Sequence, residues 1–440
     1  MPGGLLTDLY ELTMAASYVR RDMREAATFS LFVRRLPPGR GFLVAAGLED
    51  CLAFLGEFSF DDEDVEYLRR SHGFDDAALR AFRAMRFTGD VWAVPEGRIV
   101  FADEPILEVT APVAEAQVVE TVLLNHVTFQ TAIASKAARC VIAARDKDVV
   151  DFAFRRAHGV EAGIAVARAS AIAGFAATSN VEAARRFALR ATGTMAHSYV
   201  EAFGSEADAF RAFAQDFPER TTFLVDTYDT LAGVRAAVAV IEELGLTERL
   251  AVRLDSGDLP TLARDARRVL DDAGLREVRI FASGGLDEHD LDELSGGGVP
   301  VDAFGVGTTM GVSADAPSLD SAYKLVQYGE RPVLKLSEGK ATAPGPKQVF
   351  RAESMNDVLA LRSEAPPPGA HPLLEPAMRA GRRVGAPQTW VAARERFRVD
   401  LAALPSEARA IRDPVPCAAR HSEGLAELTA RVTRDVSGRA

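Results

Sequence analysis

His197, in the stretch GTMAHS, is followed further along the chain by Asp226 and Asp229 in LVDTYD. A carboxylate bound to one ring nitrogen of an imidazole fixes its tautomer and raises the basicity of the other nitrogen. That arrangement suits a general base or a nucleophile toward phosphorus. Thr194 and Ser198 flank the histidine with hydroxyls. The stretch VRLDSGDLP adds Arg253, Asp255 and Asp258. Its guanidinium can pair with a carboxylate or phosphate, and its carboxylates can bind ribose hydroxyls or hold Mg2+ beside a substrate's phosphates. Two glycine-rich turns let backbone amides approach an oxyanion: FASGGLDE, with Ser283, Gly284 and Gly285, and FGVGTTMG, with Gly305, Gly307 and Thr308. Arg155 and Arg156, and the polar run Thr178, Ser179 and Asn180, complete the set.

Any one of these clusters has a plainer reading. Ser, Thr, Asp and Asn are favoured helix N-caps, and a Gly-Gly pair is commonly a left-handed turn. Caps do not require a histidine, paired arginines or an acidic pair, so the ensemble favours a site. His72, His289, His371 and His421 stand in polar or loop-like settings and His126 in a helical one, while His158 is open between the two readings.

The elements that carry these residues alternate. Apolar β-type runs at 149–154, 171–178, 190–197, 222–228, 250–255, 278–283 and 301–307 are separated by segments such as TLAGVRAAVAVIEELG and LPTLARDARRVLDDAG. In those segments apolar residues recur every three or four positions, as amphipathic crossover helices require. Strands joined in this way are parallel. Every cluster lies at the carboxyl end of such a run, and in a βα barrel all carboxyl ends meet on the face where active sites are built. The expected fold is α/β, with an irregular or incomplete βα barrel over residues 126–324. An N-terminal α+β domain over 1–125 is completed by a return segment and a C-terminal helical extension over 325–440.

Composition narrows the function classes. The chain has 440 residues, 48% of them hydrophobic and 26% charged, as in a soluble globular protein of several domains. A net charge of -12 argues against a nucleic-acid surface. Three scattered cysteines, Cys51, Cys140 and Cys417, indicate neither a disulfide framework nor a zinc site and fit the reducing cytoplasm. There is no apolar run of membrane-spanning length and no signal-peptide pattern.

With these residues in view, the chain resembles the nicotinate phosphoribosyltransferase family, of the type II phosphoribosyltransferase group. The likeness runs through LLTDLYELTMA, RRAHG, TSNV, GTMAHS, VDTYDTLAGV, RLDSGDL, FGVGT, SADAPSLDSAYKLV and KLSEGK. The resemblance implies that the enzyme joins nicotinate to 5-phosphoribosyl 1-pyrophosphate, giving nicotinate mononucleotide and pyrophosphate in NAD salvage. It further implies ATP hydrolysis coupled through a transient phosphohistidine at His197, with Asp226 orienting that imidazole. Tyr10, supplied by the partner of a homodimer, and Phe152 would sandwich the pyridine ring at a site on the subunit interface. Thr194 and Arg253 would contact nicotinate, Arg155 and Arg156 phosphate or carboxylate groups, and Asp255 the ribose. The turns Ser283, Gly284, Gly285 and Gly305, Gly307, Thr308 would hold the 5-phosphate, with Mg2+ on the pyrophosphate. Ser179 stands where related nicotinamide enzymes carry an aspartate, which would repel a carboxylate substrate. The sequence departs from many relatives at Ala176, Ala177 and Gly285. Rival readings are a nicotinamide or quinolinate phosphoribosyltransferase and a catalytically silent barrel that binds phosphorylated metabolites.

Overall fold

The computed structural model describes residues 3–337 and 342–438. Residues 338–340 of the KLSEGK motif lie outside them. The chain divides into two compact units, one of residues 136–315 and the other of 1–135 with 316–440. The divisions thus fall at 135/136 and 315/316, ten and nine residues from those expected, the first of them within the helix Glu120–Ala144.

The unit of residues 136–315 is built on six parallel strands: β1 (Asp148–Asp151), β2 (Ala177–Thr178), β3 (Thr222–Leu224), β4 (Ala251–Leu254), β5 (Arg279–Ala282) and β6 (Ala303–Val306). Their order is β2-β1-β6-β5-β4-β3, so β2 and β3 are edges and the barrel is incomplete. Alternation along each strand sends one side chain outward and the next inward. The outward set, including Val149, Phe223, Val252, Leu254, Ile280 and Phe304, is buried. Burying each large apolar side chain contributes about 1.5–3 kcal/mol. The helix Leu259–Asp272 buries Leu259, Ala263, Ala266 and Leu270, spacings of three and four that make one apolar stripe. Asp258 caps its start by accepting from the Thr261 amide.

Inward, small residues alternate with larger ones such as Val150 and Phe281. Ala177, Ala251 and Ala303 help line a cavity of about 990 Å3. A closed barrel would fill that space with layers of branched side chains.

Two of the seven expected strands differ. The run 171–178 yields only β2, because Ala171 and Ile172 end the helix Val160–Ile172. The run 190–197 is not a strand: it makes one bridge, Ala191 to Thr178, and then leaves the sheet. Gly193 follows that bridge, and a glycine offers a strand no side chain to pack. The segment is freed to turn toward the carboxyl ends of the strands, and the helix His197–Glu201 begins there.

In the other unit, a seven-stranded sheet includes Ala26–Val33, which pairs antiparallel with Pro105–Pro112 on one side and with Ser321–Tyr328 on the other. The segment after the barrel therefore completes the sheet begun by the first. The helices Trp390–Ala403 and Glu423–Ser437 belong to this unit. No described helix is long and apolar enough to cross a membrane.

Candidate active site

Arg253, the inward-facing third residue of β4, organises the carboxyl ends of the parallel strands. Its Nε donates to Ser283 Oγ at 2.8 Å, one terminal nitrogen to Thr194 Oγ1 at 3.0 Å and the other to Asp255 Oδ1 at 2.7 Å. Three of five N–H donors are thus engaged, and two remain for a ligand. The guanidinium also lies 5.2 Å from the centre of the Phe152 ring, in cation–π contact.

Asp255 is the second junction. It accepts from Arg253 and from Ser283 Oγ at 2.5 Å, and its Oδ2 lies 3.8 Å from His197 Nε2. Burial works to raise the Asp255 pKa, but the Ser283 hydroxyl, Arg253 and His197 outweigh it and hold the carboxyl below its usual value. The group is therefore anionic near neutrality.

His197 opens its short helix, and its Nδ1 lies 3.2 Å from Thr227 Oγ1. An N–H at Nε2 would face the Asp255 carboxylate, whereas a lone pair there would be repelled. The favoured neutral tautomer accordingly carries its proton on Nε2 and accepts from the Thr227 hydroxyl at Nδ1. The contact expected between Asp226 and His197 is not made. Asp226 Oδ2 instead accepts from the Asp255 amide at 2.9 Å and from Ser256 Oγ at 2.6 Å. Its other oxygen, Oδ1, is buried with no partner.

Phe152 directly follows β1 and is fixed by its surroundings. Asp151 accepts from the Ala153 amide at 2.8 Å and from Thr178 Oγ1 at 2.7 Å, tying the ends of β1 and β2 together. The Phe152 and Phe281 ring centres lie 5.7 Å apart. Gly305, inward on β6, makes room for both: a Cβ there would come within 2.7 Å of the Phe152 ring and 3.0 Å of Phe281. Gly305, which the resemblance assigns to a phosphate-binding turn, instead lies within a strand and shapes the aromatic pocket.

The two glycine turns follow the neighbouring strands β5 and β6. Gly284 has φ +105, and a Cβ would strike Asp255 O at 1.9 Å, so close packing as well as conformation requires glycine. Gly285 has φ +80 with open space around it. The two turns are stitched by Thr309 Oγ1, which donates to Leu286 O at 2.8 Å. Gly307 precedes the one-turn helix Thr308–Gly311. Beneath the first turn, Glu288 is buried against Lys136 at 2.5 Å and Arg139 Nε at 2.9 Å. Asp287 caps the helix Glu288–Gly296 with its own side chain, which occupies the His289 and Asp290 amides.

The remaining candidates separate by environment. Asn180, Asp229 and Asp258 are helix N-caps. Arg155 and Arg156 form an exposed 3-10 turn after β1 and have no ion-pair partner among the described residues. Ser179 is half-buried after β2, its amide donating to Asp151 O at 2.8 Å. Ser198 is exposed beside His197. Tyr10 lies in the other unit, on the helix Leu9–Arg20, and is 49% exposed. Burial, then Glu120 and Glu11, push its phenol pKa up, so the hydroxyl stays protonated.

Sequence reasoning missed Thr227, Ser256 and Glu206. The first two lie inside the stretches already singled out, and only the geometry shows which side chain each one meets. Glu206 carries a raised pKa from burial and from Asp229 and Asp226, and its Oε1 is buried without a partner. Among the described residues, no group of three or more His, Cys, Asp or Glu side chains gathers to hold a metal. A divalent cation here would take most of its ligands from substrate phosphates, the usual habit of Mg2+. Asp258 is occupied as a cap, which leaves Asp255 as the better protein donor.

Residues 5–128 match the family described as nicotinate phosphoribosyltransferase N-terminal domain, and residues 133–321 that described as quinolinate phosphoribosyl transferase, C-terminal domain. A Mycobacterium tuberculosis nicotinate phosphoribosyltransferase is 50% identical over 418 residues, covering 93% of this chain and 89% of the relative. The Bacillus subtilis nicotinate phosphoribosyltransferase is 42% identical over 375 residues, covering 82% of this chain and 76% of the relative. The crystal structure of human nicotinic acid phosphoribosyltransferase superposes with a TM-score of 0.85 at 30% identity, covering 97% of this chain and 99% of that one. A Pyrococcus furiosus nicotinate-nucleotide pyrophosphorylase superposes with a TM-score of 0.76 at 27% identity, covering 91% and 95%.

Proposed function

The chain belongs to the nicotinate phosphoribosyltransferase family, and on that premise we infer that the mouth centred on Arg253 joins nicotinate to 5-phosphoribosyl 1-pyrophosphate, with the roles that follow. The observation that carries this assignment is Arg253 itself. It lies over Phe152, touches Thr194, Asp255 and Ser283, and keeps two donors for a carboxylate. An aromatic face beside a planar cation is what a flat pyridine carboxylate requires.

In the reaction, the pyridine nitrogen lone pair forms the bond to ribose C1, and the C1–O electron pair departs with pyrophosphate. Positive charge grows on the ribose as that bond breaks, and the Asp255 carboxylate is placed to stabilise it and to hold a ribose hydroxyl. The joined turns Ser283 to Gly285 and Gly307 to Thr308 are the proposed seat of the 5-phosphate. Arg155 and Arg156 offer two unpaired cations to the leaving pyrophosphate. Mg2+, carried on that pyrophosphate, would neutralise its charge when bound. Phe152 orients the ring, and Tyr10 of the partner subunit would cover the other face in a homodimer. The exposed ring of Tyr10 supports that reading.

ATP is the proposed co-substrate. One imidazole nitrogen of His197 attacks the γ-phosphorus, the N–P bond forms and ADP leaves. Water later cleaves the N–P bond, returning histidine and inorganic phosphate. The orphaned Asp226 Oδ1 is an acceptor for the N–H of the phosphorylated ring after rotation away from Thr227. The proposed compartment is the cytoplasm.

The experiment is product analysis with labelled nicotinate, 5-phosphoribosyl 1-pyrophosphate and Mg2+, with and without ATP. Nicotinate mononucleotide and pyrophosphate are expected in both arms, with more product and ADP formation when ATP is present. Preference for quinolinate, signalled by carbon dioxide release, would transfer the chain to the other phosphoribosyltransferase reaction.

A further inference from the structure

The amino ends of four successive segments of the barrel carry an arginine: Arg190 before the bridge at Ala191, Arg220 before β3, Arg249 before β4 and Arg279 at the start of β5. All four line the 990 Å3 cavity that occupies the unfilled half-barrel. They sit at the end of the strands opposite the catalytic mouth.

Arg279 is partly satisfied, by Asp148 at 3.5 Å and Asp302 O at 3.0 Å, and Arg220 lies over the Phe217 ring at 5.7 Å. Arg190 and Arg249 have no carboxylate partner among the described residues. Arg249 moreover holds φ +49, a left-handed conformation that costs a non-glycine residue about 1–2 kcal/mol. In a chain of net charge -12, four arginines against the single carboxylate of Asp148 make a local positive well. Phe217 and Phe281 add aromatic surface to the same walls.

We propose that the arginine-lined amino end of this cavity is a second ligand site, apart from the catalytic mouth at the other end, for a planar aromatic ring that bears a carboxylate or phosphate. The anionic group meets Arg190, Arg220 and Arg249 at the amino ends of the strands, and the ring lies inward against Phe213 and Phe217, whose own ring centres are 5.1 Å apart. At its other end the cavity runs on to Ser179 and Phe281 of the pyridine pocket, while Arg253 and Asp255 do not line it. Substrate and product both have this chemistry, so nicotinate and nicotinate mononucleotide are the two sources to compare.

The test is isothermal titration of the full chain with nicotinate and, separately, with nicotinate mononucleotide, beside the double variant R220E/R249E. Neither residue belongs to the catalytic site. Wild type is expected to bind two equivalents of at least one ligand, the second weakening as KCl is raised. In R220E/R249E that second equivalent is expected to weaken roughly tenfold or more while the first remains and kcat stays within about twofold. The ligand that loses an equivalent identifies the source. A single equivalent of each ligand in wild type, or a second equivalent indifferent to the charge reversal, overturns the proposal. R220Q/R249Q serves the same comparison if the reversed variant does not fold.

Discussion

Arg253 and Asp255, two residues apart across the carboxyl end of β4, meet at 2.7 Å while both hold Ser283, just past the neighbouring strand β5. Alternation would send both side chains inward, and the adjacent strand supplies a hydroxyl that donates to one and accepts from the other. A cation and an anion are thereby fixed side by side: one for the substrate carboxylate, the other for the ribose that turns cationic.

Arg253→Lys tests the forked geometry. Lysine keeps the charge but cannot serve Thr194, Asp255 and Ser283 together while also offering two parallel donors. Losing one or two charge-assisted hydrogen bonds costs about 3 kcal/mol, roughly a hundredfold in kcat/KM for nicotinate. Steady-state kinetics read the effect, and a variant within threefold of wild type would remove Arg253 from the binding role.

His197→Ala and Thr227→Val separate phosphoryl transfer from glycosyl transfer. The first variant is expected to lose ATP-stimulated turnover and ADP formation while retaining the slower ATP-independent reaction, because Phe152, Arg253 and Asp255 are untouched. The second removes the hydroxyl at Nδ1, 3.2 Å away, and leaves the imidazole free to rotate, so coupling should loosen without vanishing. The ratio of ADP to nicotinate mononucleotide formed measures both. Full coupling in His197→Ala would end the phosphohistidine assignment.

Much of this site could be read in the sequence, though the division of labour within it could not. Alternating β and helical periods placed Arg253, Asp255 and Ser283 on one face, because parallel connection geometry leaves no other arrangement, whereas His197 reaches that face from a segment that is not a strand. Asp226, Asp229 and Asp258 look alike on paper, yet Asp229 and Asp258 cap helices while Asp226 holds the Asp255 backbone. A cap and a catalytic carboxylate share residue type and position in a βα unit, so only three-dimensional contacts separate them. The seventh strand failed for a related reason. The 190–197 run pairs only around Ala191, where Thr178 donates to Arg190 O and accepts from the Thr192 amide, and beyond Thr192 it leaves the sheet. The part played by Gly305 was hidden because its neighbours, Phe152 and Phe281, are far off in sequence.

Gly305→Ala should show that relation directly. The added methyl overlaps the Phe152 ring and presses on Phe281. Overpacking of this kind costs about 1–3 kcal/mol. A lowered Tm together with a raised KM for nicotinate, and little change in KM for 5-phosphoribosyl 1-pyrophosphate, is the expected pattern. Equal rises in both would point to general distortion.

The acid side of the stability profile follows from Asp255. Its carboxyl is held below the ordinary value, so the folded pKa is lower than the unfolded one, near 3.9 for a model aspartate. The ionised group therefore favours the folded state above about pH 4, and that contribution fades as pH falls through the lower folded value. Asp255→Asn removes it. Thermal melts from pH 3 to 7 should give a flatter acid limb for the variant, and parallel limbs would show that Asp255 is not held in this way.

Substrate choice turns on Ser179. Its backbone, just past β2, is tied to Asp151 O at the end of β1, so the side chain position is set by the two strands and not by the ligand. Ser179→Asp would place a second negative charge beside the carboxylate of nicotinate. Two like charges about 4 Å apart at an effective dielectric near 20 repel by about 4 kcal/mol, which corresponds to roughly a thousandfold in kcat/KM. Nicotinamide carries no charge and offers an N–H that the new carboxylate accepts, so its kcat/KM should hold or rise. The quantity to measure is the ratio of the two specificity constants in wild type and variant. A ratio unmoved by the substitution would mean that the substrate's carboxylate points away from Ser179, and the selectivity would then have to come from Arg253 and Thr194 alone.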